Sequence, residues 1–161
     1  MTRKQGSIIF LKAVLLFIIL LALAFCIFGL PVMASRDAAA HPVTAYLQYP
    51  FLICSYILFS TFFIALHQTY KLLNYIDRNE AFSELSINAL KYIKYCASAI
   101  SCFFVAGLFI LILLIKGDIA GMITLCLLCT FASSVIATFA AVLQKLLKAA
   151  IDIKSENDLT V

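Results

Sequence analysis

Residues 95–144 read YCASAISCFFVAGLFILILLIKGDIAGMITLCLLCTFASSVIATFAAVLQ. Two charge-free runs, 95–115 and 119–144, are separated only by Lys116-Gly117-Asp118. A helix rises ~1.5 Å per residue and the bilayer hydrocarbon is ~30 Å thick, so ~20 apolar residues make one crossing. Each run is long enough to cross. Gly117 suits the end of one helix and Asp118 the start of the next. The turn is so short that the two helices must be antiparallel neighbours.

Working outward, two further charge-free runs cover 13–35 and 38–70. The chain has 161 residues, 65% hydrophobic and 12% charged, with a mean hydropathy of +1.08. A soluble domain carries roughly 25% charged residues, so an ordinary soluble fold is excluded. The expected fold is all-α: a polytopic membrane protein with four transmembrane helices in one antiparallel bundle. The helices are expected over about 7–30, 49–73, 84–115 and 119–153, as a single domain spanning 1–161, with a polar tail over 154–161 that should fray. Pro31 is expected to end the first helix, because proline cannot continue the backbone ladder. A weakly polar outer loop, 31–48, follows. Tyr46 and Tyr49 suit the membrane–water boundary.

Charge orients the bundle. Of the twelve Lys and Arg, only Arg36 and Lys116 fall in the first and third connections. Arg3, Lys4, Lys12, Lys71, Arg78, Lys91, Lys94, Lys145, Lys148 and Lys154 fall at the N-terminus, in the middle connection or in the tail. Basic residues are retained on the cytoplasmic side, so both termini and the middle loop are expected inside, in the bacterial cytoplasmic (inner) membrane. The net charge of +4 is then topological, with some attraction to anionic lipid, and no direct nucleic-acid binding is expected. Arg3 and Lys4 followed by an apolar run, with Val32-Met33-Ala34 beyond, resemble a signal peptide. The run from 8 to 30 is far longer than the ~7–15 residues of a signal core, which favours a retained helix.

The chemistry-bearing residues are few. No Asp, Glu, Lys or Arg lies mid-helix, whereas coupled transporters normally need such a group at depth. His67 lies one turn from Lys71 and reads as interfacial. Asp37 with His41 offers two metal ligands and no third, so no metal and no cofactor is expected. Ser98, Cys102 and Ala106 recur at intervals of four. Thr130, Ser134 and Thr138 do the same, with Ser133, Ala137 and Ala141 alongside. Such stripes favour close helix approach and interhelical hydrogen bonds.

Cys126 and Cys129 form C-x-x-C, the arrangement of membrane thiol oxidoreductases. Those enzymes also use an external cysteine pair, and here Cys26 and Cys54 lie within apolar runs instead. Packing is the expected role, and no enzyme activity is expected. A redox role for Cys126 and Cys129 is the minor alternative.

The middle connection, 74–85, is the most polar stretch. Ser83 is a good N-cap for the third helix, with Glu84 at the positive helix end. Residues 71–96, KLLNYIDRNEAFSELSINALKYIKYC, and 136–161, IATFAAVLQKLLKAAIDIKSENDLTV, resemble the YoaS-like bacterial membrane proteins of the domain of unknown function 2975 family. The likeness is most specific at Asn79, Ala81, Phe82, Ser83, Leu90 and Ile93 and in the run from Glu156 to Thr160. It implies a four-helix bacterial inner-membrane protein whose gene often neighbours one for a small helix-turn-helix regulator, and it carries no catalytic residues. The expected function is a binding or regulatory module. Asn79, Phe82, Ser83, Glu84, Lys91 and Lys94, together with the tail, would present a cytoplasmic surface to such a partner. A small-molecule exporter or channel subunit is the alternative, and a homo-oligomer is an open arrangement.

Overall fold

The computed structural model describes residues 3–40, 46, 48–78, 80–114 and 120–159. The elements are α1 (Arg3–Ala24), a π-helical turn (Phe25–Gly29), α2 (Leu30–Ala40), α3 (Gln48–Asp77), α4 (Glu84–Leu114) and α5 (Ala120–Leu159). Among the described residues there are no strands, and four helices are long and apolar enough to cross a membrane. Large apolar side chains point outward along all of them: Phe17 is 66% exposed, Leu113 79% and Phe131 70%. Soluble monomers rarely expose contiguous apolar patches beyond a few hundred Å². Helices of this kind, with backbone polar groups satisfied internally, are what a bilayer accepts. The chain is an all-α multi-pass membrane protein.

The described contacts divide the chain into two compact units, meeting within α3 between Leu66 and His67. The first holds α1, α2 and most of α3. Its notable departure from expectation is at Pro31, which does not end the helix. The Leu30 N–H donates to the Phe25 carbonyl, five residues back, and the backbone is helical on both sides of the turn. The register thus changes from four to five residues just where Pro31 has no N–H to give, and α2 continues to Ala40. Such local π adjustments are how membrane helices tolerate proline. Gly29 leaves room for the Phe25 ring: a Cβ there would meet that ring at 2.7 Å. That ring lies 5.9 Å from the Phe59 ring, which in turn neighbours Phe63 at 6.5 Å.

The second unit is built on α4 and α5. Lys94 Nζ donates to Gln144 Oε1 at 3.2 Å, and the Ser101 and Ser134 hydroxyls pair at 3.0 Å. As one number rises the other falls, so the two helices are antiparallel. Ala97, Ser133 and Ala140 are buried. Of the two small-residue stripes, only Ser134 forms an interhelical bond. The Thr130, Ser133 and Thr138 hydroxyls donate to carbonyls four residues back on α5. Ser98, Cys102 and Ala106 are exposed, because the face of α4 toward α5 is the one bearing Leu90, Ala97 and Ser101.

Two helices also outrun their expected ends. α3 continues through Asn74 to Asp77, and α5 continues to Leu159 rather than stopping at Ile153. Polar residues mark where a helix leaves lipid, not where it stops, and neither stretch contains a breaker. At ~1.5 Å per residue, the 40 residues of α5 extend ~60 Å, about twice the hydrocarbon thickness.

Candidate partner surface at the α3–α4 turn

The expected site lies in the second unit, where α3 passes into α4. The Arg78 N–H donates to the Asn74 carbonyl, and the Glu80 N–H donates to the Tyr75 carbonyl at 2.8 Å. The second bond spans five residues, the wide closure typical of helix C-termini. On the other side, the Ser86 and Ile87 N–H groups donate to the Ser83 carbonyl. The Ser86 N–H also reaches Ser83 Oγ at 3.4 Å, so Ser83 stands at the N-cap. Glu84 follows in the first turn of α4.

Ser86 joins the two ends. Its side chain is fully buried, at 0% exposure, and its hydroxyl donates to the Glu80 carbonyl at 3.2 Å while lying 3.4 Å from Ser83 Oγ. Glu80 is therefore held through its N–H by the end of α3 and through its carbonyl by the start of α4. Leu73, Ile87, Ala89 and Leu90 are also buried. The polar connection is a packed corner with a defined shape.

Phe82 is 63% exposed at this corner, with Leu85 and Glu84 also exposed. The structure thus separates the residues expected to act together. Phe82 and Glu84 are displayed, whereas Ser83 is committed to the cap. Lys91 is exposed farther along α4. Lys94 is bonded to Gln144 and sits 5.0 Å over the Tyr95 ring. Asn79 lies outside the described residues, as do His41 and the 116–118 turn. Sequence reasoning did not single out Ser86. A serine at the third helical position is no capping-box acid, and its bond runs to a carbonyl six residues back.

His67 is exposed on α3. Among the described residues no three His, Cys, Asp or Glu side chains gather as a metal site. Cys126 and Cys129 are free thiols of intermediate burial, and their carbonyls accept the Thr130 and Ser133 hydroxyls.

A family model described as "Protein of unknown function (DUF2975)" matches residues 32–161, from α2 through the capped corner to the tail. The chain belongs to the DUF2975 family. It is 54% identical over 159 residues to "Uncharacterized membrane protein YoaS" of Bacillus subtilis (strain 168), covering 98% of this chain and 99% of that one. No solved structure matches the chain. This DUF2975 protein is accordingly a multi-pass bacterial membrane protein, in agreement with the four apolar helices.

Proposed function

We propose that this protein is a non-enzymatic binding or regulatory module that presents the α3–α4 corner and the end of α5 to a soluble cytoplasmic protein, such as a small helix-turn-helix regulator. Both termini and the corner face the cytoplasm in this reading, as the distribution of Lys and Arg favours. Cys126 and Cys129 serve packing.

The observation that carries it is Phe82. Left free, an exposed aromatic gains nothing in water. Held on a corner closed by the Ser83, Ser86 and Glu80 bonds, it is a preorganised anchor, and aromatic anchors dominate protein interfaces. Glu84 and Leu85 flank it.

The test is crosslinking in cells followed by affinity capture from native membranes. The wild type should retain a specific cytoplasmic protein at near-stoichiometric yield. Phe82→Ala should weaken capture on the order of thirtyfold, equivalent to about 2 kcal/mol for a central aromatic, while leaving membrane insertion intact. Unchanged capture by the variant would overturn the proposal.

A further inference from the structure

We infer that the α4–α5 hairpin carries a binding site for the phosphate headgroup of an anionic phospholipid, formed by Lys91, Lys94, Lys145 and Lys148. The inference rests on the membrane fold and not on the soluble partner proposed above.

The register of the hairpin brings these lysines to one level. With Lys94 opposite Gln144, and Ser101 near Ser134, Lys91 lies opposite Leu147 and so between Lys145 and Lys148 in height. All four ammonium stems therefore start within about two helical turns, each ~5.4 Å. They also share a side. Lys91, Tyr95 and Ser98 follow at intervals of four and three on one flank of α4, and Lys145, Lys148 and Asp152 at three and four on one flank of α5. In an antiparallel pair with the contacts above, helical periodicity puts these two flanks on the same side of the hairpin.

The lysines outnumber the carboxylates near them. Lys91, Lys145 and Lys148 are exposed, and among the described residues none of them pairs with a carboxylate. Asp152 shares the α5 flank one turn beyond Lys148, and Glu84 lies two turns beyond Lys91, so four lysines stand near two carboxylates and the flank keeps a net positive charge. Lys94 gives one of its three N–H donors to Gln144, which fixes its ammonium over Tyr95 and leaves two donors for a ligand.

The level of the cluster identifies the occupant. The charge-free runs begin at Tyr95 on α4 and end at Gln144 on α5, so the lysines stand where the hairpin leaves hydrocarbon. That plane holds the phosphates of the lipids. Below the lysines the same side presents Ser98, Cys102 and Ala106 on α4 and Ser134 and Thr138 on α5, all exposed. Acyl chains would lie against these small side chains beneath a held headgroup. A second copy of this chain seated on the flank would set four ammonium groups against four more. Lipid supplies the missing negative charge at the required depth.

Native mass spectrometry of the purified full chain in mild detergent tests this, with dioleoylphosphatidylglycerol and dioleoylphosphatidylcholine as probes. The wild type should retain dioleoylphosphatidylglycerol at least tenfold better. Surface lysines contribute about 1 kcal/mol each near anionic lipid, about fivefold apiece, so K91Q/K145Q/K148Q should erase the preference. K71Q/R78Q/K154Q removes the same charge elsewhere and should keep it, and K91R/K145R/K148R should keep it too, which separates charge loss from misfolding. Equal retention of both lipids by the wild type would overturn the inference. So would equal loss in the two glutamine variants, displacement of the lipid by an equal concentration of soluble glycerol phosphate, or dimers that exclude lipid.

Discussion

Ser86→Leu is expected to abolish the stable α3–α4 corner, seen as a large fall in the thermal unfolding midpoint in detergent and in the yield of folded protein. Ser86 is fully enclosed, so the two additional heavy atoms of leucine have no space to enter. Overpacking of this kind costs about 1–3 kcal/mol and sometimes more. The lost hydroxyl adds to it, because the Glu80 carbonyl forfeits its donor. Ser86→Ala isolates that second contribution and should cost about 1 kcal/mol. A leucine variant that unfolds like the wild type would show that the corner is not closed through Ser86. The same substitution should reduce partner capture even though Ser86 is inaccessible, since it is the support on which Phe82 is displayed.

Gly29→Ala gives the second large effect, and its size depends on residue 25. The new methyl would lie 2.7 Å from Cδ2 and 2.9 Å from Cε2 of Phe25, so the ring must move. Moving it disturbs the contact with Phe59 at 5.9 Å, in a pair of the kind worth about 0.5–1.5 kcal/mol. With Phe25 present, Gly29→Ala should destabilise by about 1–3 kcal/mol, the ordinary range for overpacking. In a Phe25→Ala background the clash is absent, and alanine should then cost almost nothing or stabilise the helix slightly. The two substitutions should therefore be strongly non-additive in a double-mutant cycle of unfolding midpoints. Additive effects would mean that Gly29 is needed for the π turn itself rather than for the ring beside it.

What could be read from residues alone followed from how directly each feature is encoded. The four spans are stated by absence of charge over runs such as 95–115 and 119–144, and lipid enforces that pattern residue by residue. Ser83 was legible as a cap because capping is local. Pro31 continues the helix against expectation because the rule that proline ends helices is a rule about regular turns. The remedy is the bond from the Leu30 N–H to the Phe25 carbonyl, and a five-residue bond is not visible in periodicity. α3 and α5 run past the ends that hydrophobicity suggests, because its loss at Asn74 and Lys154 marks the bilayer boundary, whereas a helix ends only where its backbone bonds do. Ser86 and the exposure of the Ser98–Cys102–Ala106 stripe depend on which faces pack. Composition does not fix that.

Orientation underlies the partner surface, and cysteine accessibility tests it most directly. The six native cysteines would be replaced, single cysteines placed at Phe82, Ser155 and Ser35, and cells exposed to a membrane-impermeant maleimide. With the corner and the end of α5 inside, positions 82 and 155 label only after permeabilisation, whereas position 35 labels in intact cells. Labelling of position 82 in intact cells would contradict it and place the α3–α4 corner outside.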